Sequence, residues 1–233
     1  SSMSLGFVNA VLNTIAAEAI DELTAKVEHA ISEGLDRDAA VLEAVKETWT
    51  ANKAIVFDGD GYSDAWHKEA AERGLANLPT TPDALPWYVE ESTVRVFEQY
   101  NVLSERELES RFEVAVEQYI SKLNIEAETA AAIARTQLLP AALRYVTLAR
   151  EAGIAGLESE AVALTEEFVA AIEKLEKANA GHPSQEGLEL AKFMRDTVFA
   201  AMNEAREVAD RLERVVADDL WPLPKYQEIL FIK

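Results

Sequence analysis

Apolar residues recur at helical spacing through two long runs near the C-terminus, and this repetition constrains the fold more than any other feature. In the first run Leu157, Ala161, Leu164, Phe168, Ala171, Leu175 and Ala178 follow spacings of 4, 3, 4, 3, 4 and 3. That is a heptad seam, which places its members on one face of an α-helix. The second run carries Leu188, Ala191, Met194, Val198, Met202, Ala205, Val208, Leu212 and Val215. Between them 179–184, with Gly181 and Pro183, reads as a turn. Two such helices joined by a short loop predict an antiparallel hairpin over 157–217, its first arm on the order of 30 Å long. Abundant alanine and scarce glycine favour helix elsewhere too, because alanine loses no side-chain entropy on entering a helix.

The rest of the chain reads as further helices. The first is expected over 7–33, with Val8, Val11, Leu12, Ile15, Ala19, Leu23, Val27 and Ile31 on its buried face and Gly34 as its stop. Asp36 is the expected N-cap of a second helix over 37–52. The span 53–86 is the least helical, with a short helix over 64–73 ending at Gly74 and three prolines, Pro79, Pro82 and Pro86, keeping the chain extended. Beyond Trp87 the expected buried positions are Val89, Val94, Phe97 and Tyr100. Ser104-Glu105-Arg106-Glu107 is a capping box flanked by Leu103 and Leu108 as a hydrophobic staple. It opens a helix to about 123, and a further helix over 125–151 should kink at Pro140. The expectation is an all-α fold: one domain over 1–233, an elongated helical bundle with a long antiparallel hairpin near its C-terminus.

Charge narrows the function. With 22 basic against 42 acidic residues the formal charge is −20, which repels a phosphate backbone and an anionic membrane surface alike. Nucleic acid and membrane are therefore not expected partners. No run of apolar residues is long enough to span a bilayer, and Ser1-Ser2-Met3-Ser4-Leu5-Gly6 lacks the basic start of a signal peptide. The absence of cysteine excludes disulfides and thiolate zinc sites and fits a cytoplasmic setting.

One stretch looks like chemistry. Ile55-Val56-Phe57-Asp58-Gly59-Asp60-Gly61 has the form of a phosphatase strand that delivers an aspartate nucleophile and a second aspartate as acid. That mechanism needs a parallel sheet, and the sequence offers no alternation of strands with helices. Asp58, Asp60 and Glu69 also fall at positions 1, 3 and 12 of a calcium loop. Tyr62 and Ser63 then stand where that loop needs an oxygen ligand and a glycine. A turn is the remaining reading, with the aspartates bonding local backbone. His29, His67 and His182 lie far apart and lack ligand spacing, and no Gly-Lys phosphate loop occurs. Arg111, Arg135, Gln137 and Arg144, set amid apolar helix, are expected to be buried and paired. No catalytic, cofactor-binding or metal-binding residue is therefore assigned.

Several stretches, taken together and in order, resemble the C-terminal part of type III glutamine synthetases. They are Val11-Leu12-Asn13-Thr14-Ile15-Ala16-Ala17-Glu18, Phe57-Asp58-Gly59-Asp60-Gly61-Tyr62-Ser63, Glu72-Arg73-Gly74-Leu75 and Asp83-Ala84-Leu85-Pro86. Further on come 103–111, Ala134-Arg135-Thr136-Gln137-Leu138-Leu139-Pro140-Ala141 and Asp219-Leu220-Trp221-Pro222-Leu223-Pro224. The family commonly has Asn where Asp58 stands, which weakens any case for that residue as a nucleophile. The resemblance implies a parent enzyme that joins glutamate and ammonia at the expense of ATP, with magnesium or manganese. It implies that the metal, ATP and glutamate sites lie in a β-barrel ending where Ser1-Ser2-Met3-Ser4 begins. This chain is then expected to be inactive alone, to meet that barrel within one polypeptide, and to support folding and homo-oligomer assembly. The rival expectation is an autonomous helical interaction or regulatory module without catalysis.

Overall fold

The computed structural model describes residues 5–181 and 186–230, and among them every regular element is helical. The chain divides into two compact units, one ending at Phe112 and the other beginning at Glu113. Each is described by itself.

In the first unit α1 (Gly6–Ser32) and α2 (Arg37–Asn52) pack as a pair. Gly34, at φ +102°, lets the chain leave α1 while the Leu35 N–H donates to the Ala30 carbonyl at 3.1 Å. Only glycine enters that left-handed region without strain. Asp36 caps α2, its carboxylate accepting from the N–H groups of Asp38 and Ala39, both at 3.1 Å. Small side chains bring this pair together: Ala40, Ala44 and Thr14 are its buried residues. The inner stripe of α1 thus lies one step round the helix from the expected face. Val8, Leu12, Ile15, Ala19, Leu23 and Ile31 are exposed, and Val11 and Val27 are half-buried.

The unit continues through α3 (Asp64–Glu72), α4 (Thr81–Ala84), a 3₁₀ turn over Leu85–Tyr88, and α5 (Glu91–Gln99). Phe97 and Leu108 are its largest buried side chains. Phe7 stacks on Tyr88 with ring centroids 4.8 Å apart and lies 6.5 Å from Phe97. Of the positions expected to be buried after Trp87, Phe97 is buried, while Val89, Val94 and Tyr100 are half-buried.

The division between the units falls within α6 (Glu105–Ile133). Here the sequence expectation is corrected, because the helix passes 123–125 without a break. Asn124 is tolerated there, its amide donating to Glu128 one turn on at 3.0 Å. The interruption comes instead as a π-type turn over Ala134–Leu138, and α7 (Leu139–Glu151) starts with Pro140 in its first turn. Pro140 has no N–H to donate and its ring crowds the carbonyl four residues back; a widened turn upstream relieves both.

In the second unit α8 (Ala155–Ala180) packs against both α7 and α10 (Ala200–Val215), which follows α9 (Gly187–Phe193) and a second π-type turn over Met194–Phe199. The expected turn over 179–184 falls partly on residues 182–185, outside those described. Ion pairs show the direction of the arms. Lys174 pairs with Glu204, and seven residues back along α8 Glu167 pairs with Arg211, seven residues on along α10. The arms are therefore antiparallel here. On the second arm Ala191, Met194, Val198, Ala201, Ala205, Val208 and Leu212 are buried, alternating spacings of three and four. Ala201 takes the place expected of Met202. On α8 the buried stripe is Ala161, Thr165, Phe168, Ile172 and Leu175, flanked by half-buried Leu164, Ala171 and Ala178; Leu157 is exposed. The stripe is wider than a two-helix seam because α8 has neighbours on two sides.

Phe168 and Ile172 meet Val208, Leu212 and Trp221 in one cluster, while Leu175 meets Leu123, Met194 and Val198 in another. Val169→Pro, next to fully buried Phe168, removes a ladder hydrogen bond and should cost about 3 kcal/mol or more. The expected outcome is reduced helical ellipticity and a melting temperature lower by roughly 10 °C; unchanged values would contradict the two-armed packing.

Candidate functional site

The aspartate-glycine turn is the one stretch whose sequence suggests chemistry, and its surroundings decide what it does. A 3₁₀ turn over Lys53–Ile55 delivers the chain to Phe57, and α3 begins at Asp64 behind its N-cap, Ser63. Phe57 stacks on Trp66 with ring centroids 4.0 Å apart. The backbone at Gly59 lies against the tip of the Phe57 ring: a Cβ there would stand 2.7 Å from its Cζ atom. Glycine is required at this point by close approach. The Asp60 carboxylate accepts from the Tyr62 N–H at 3.0 Å, and the Ser63 hydroxyl donates to the Asp60 carbonyl at 2.8 Å. Ser63 also accepts from the Trp66 N–H at 3.2 Å, capping α3.

Arg73 holds the other side. Its Nη1 donates to the carbonyls of Ala54 at 3.1 Å and Val56 at 2.8 Å, and its Nη2 pairs with Glu69 one turn earlier. The guanidinium sits 5.4 Å from the Trp66 ring centroid, within cation–π range. One side chain thus ties the incoming strand-like segment to α3. Gly74, at φ +76°, ends the helix immediately after it.

Two of the three carboxylates singled out from the sequence are committed to folding. Asp60 serves its own backbone, and Glu69 neutralises Arg73. Asp58 is exposed with no sheet behind it, which removes the phosphatase geometry. Among the described residues no group of three or more histidine, aspartate or glutamate side chains could hold a metal ion. His29 and His67 lie exposed on α1 and α3, and His182 lies outside the described residues.

The other polar residues singled out from sequence are surface groups, which corrects the expectation of burial. Gln137 and Arg144 are exposed. Arg111 is exposed as well and lies 5.4 Å above the Phe7 ring. Only Arg135 makes a paired, half-buried contact: its Nε and Nη2 donate to both oxygens of Glu176 at 2.9 and 2.6 Å. That fork holds the Glu176 carboxyl below the usual carboxylate range.

The capping box forms with one difference. The Ser104 N–H donates to Glu107 at 2.8 Å, as expected, but the Ser104 hydroxyl donates to that carboxylate at 2.8 Å instead of accepting from the Glu107 N–H, which bonds the Ser104 carbonyl at 3.0 Å. The N–H of Glu105 is met instead by Glu98, at 3.2 Å. Among the concave features of the described residues is an apolar pocket of about 430 Å³ in the second unit, lined by Ile133, Phe168, Phe199, Met202 and Trp221, with Arg206, Asp210 and Glu213 among its other lining residues.

Sequence reasoning missed Arg73 and Trp66. An arginine one turn after a glutamate reads as an ordinary surface pair, and nothing local shows that it reaches back to Ala54 and Val56.

Two outcomes follow. Arg73→Ala leaves two carbonyls and a glutamate without their donor and should cost about 2 kcal/mol in denaturant unfolding, with Arg73→Lys recovering only part of it. Tryptophan fluorescence reports it, because three of the four tryptophans, Trp49, Trp66 and Trp87, lie in this unit. Second, the backbone hydrogen bond from Ser104 holds the Glu107 carboxyl below its ordinary value. A depressed carboxylate stabilises the fold above the unfolded pKa, and that contribution is lost as pH falls through the folded one. Glu107→Gln should therefore lower the melting temperature at pH 7, and the difference should shrink as pH falls below the ordinary carboxylate range and through the lowered pKa of Glu107.

Comparison with known proteins places these elements. Residues 40–153 match the family model described as the glutamine synthetase C-terminal domain. The whole chain is 33% identical to the type-3 glutamine synthetase of Dictyostelium discoideum, covering 34% of that protein. It is 31% identical over its whole length to a glutamine synthetase of Bacteroides fragilis, covering 35% of it. Over 82% of the chain it is 32% identical to a glutamine synthetase of Butyrivibrio fibrisolvens, covering 29% of it. The chain thus spans about a third of the length of these relatives, matching their C-terminal part.

Proposed function

The chain belongs to the glutamine synthetase C-terminal domain family, and we propose that it is the helical C-terminal part of a type III glutamine synthetase, inactive by itself. The observation that carries this reading is the coverage: relatives align along the whole chain, yet the chain fills only a third of them. The parent enzyme would join glutamate and ammonia with hydrolysis of ATP, using a divalent metal. The described residues do not fit such a metal, because Asp60 and Glu69 are engaged by the Tyr62 N–H and by Arg73. No step of the reaction is therefore placed on this chain. Its role is to complete the fold of the parent polypeptide and to support assembly with further copies, and both compact units serve that one role. No described helix is long and apolar enough to cross a membrane.

The test is direct. The 233-residue chain, supplied with glutamate, ammonia, ATP and magnesium or manganese, should form no glutamine, while the polypeptide carrying the preceding sequence should form it. ATP- and metal-dependent synthesis by the chain alone would overturn the reading. So would a reading frame with no barrel-coding sequence before it.

A further inference from the structure

The apolar face of α1 stays in solvent although its sequence is that of a packed helix. Leu5, Val8, Leu12, Ile15, Ala19 and Leu23 succeed one another at spacings of 3, 4, 3, 4 and 4. Apart from the alanine, they are 60, 50, 55, 48 and 40% exposed in that order. Scattered exposed leucines need no explanation, but an uninterrupted stripe over five turns of one helix is the pattern of a covered seam. None of its members is charged: Glu18, Asp21, Glu22 and Glu28 lie off the stripe. The inner stripe, around Thr14, is already occupied by α2 and α5. The exposed stripe is thus a second face, and a fold that used α1 only within this unit would gain nothing from its five aliphatic side chains.

We infer that this stripe is the docking face for the portion of the same polypeptide that precedes α1. The inference rests on the reading proposed above. In the relatives the matched part is C-terminal and fills 34 and 35% of the protein, so roughly twice its length precedes it. That portion joins the chain at the first turn of α1, where the stripe begins. A tethered partner docks at high effective concentration, without the association entropy that a separate molecule must lose. A second copy of this chain would lose that association entropy, and its protection of the stripe would depend on concentration.

Hydroxyl-radical footprinting read by mass spectrometry tests this without altering the stripe. Labelling of Leu5, Leu12 and Ile15 is compared between the 233-residue chain and the full-length polypeptide. The expected result is a fall of about fivefold or more in the longer protein, as half-exposed side chains become interface core. Labelling of the chain alone should not change with its concentration. In the Leu12→Asp, Ile15→Asp double variant the chain alone should melt unchanged, because both sites are exposed, while Val8 regains labelling in the full-length protein. Undiminished labelling of the stripe in an active full-length enzyme would overturn the docking face and leave the proposed function standing. Protection that grows with concentration in the chain alone would also overturn it, assigning the stripe to a second copy. A gene without preceding sequence would remove both.

Discussion

The packing of α8 between α7 and α10 is the constraint on which the second unit depends. A helix with one neighbour needs a narrow seam; a helix with two needs a broad apolar arc. Phe168, Ile172 and Leu175 point into that arc and are fully buried. Their partners come from α6, the π-type turns, α7, α9, α10 and the segment carrying Trp221. Ion pairs such as Lys174–Glu204 and Glu167–Arg211 lie at the edges of this packing, half-exposed, and fix register more than they add stability.

A second regularity concerns the joints. Apart from Val11 to Glu18 within α1, most of the sequence stretches that resemble the enzyme family fall where the chain departs from plain helix. Phe57 to Ser63 builds the turn before α3, and Arg73 with Gly74 locks and ends that helix. Ala134 to Pro140 makes the π-type turn. Trp221 closes the core beyond α10. Each joint needs particular residues: a glycine where a ring approaches, a proline where a donor is absent, an arginine where two carbonyls converge. Residues that resemble an active site in a linear reading are here the fittings of a helical scaffold.

What the sequence revealed, and what it hid, follows from the range of the forces. Helix type, the bounds of α2, the cap at Asp36 and the glycine stop at Gly34 are local, and all are readable from neighbouring residues. The buried arc of α8 was legible as a heptad, but its true centre on Thr165 and Ile172 depends on α7, which no periodicity reports. The apolar face of α1 misled for the converse reason. Periodicity shows that a face is apolar and says nothing about whether its partner belongs to the same unit. Arg73 was hidden because its carbonyl partners lie 17 and 19 residues away. Arg144 stands between Leu143 and Tyr145 in sequence yet reaches solvent, as long cationic side chains do.

Under the proposed function the labour is divided: the chain contributes packing and joints, and the chemistry lies in the part of the polypeptide that precedes it. Calorimetric titration of the 233-residue chain with magnesium and ATP tests that division most directly, because it reads binding without requiring turnover. The account predicts no saturable heat. A stoichiometric site with a dissociation constant on the order of micromolar, about −8 kcal/mol of binding free energy, would contradict it.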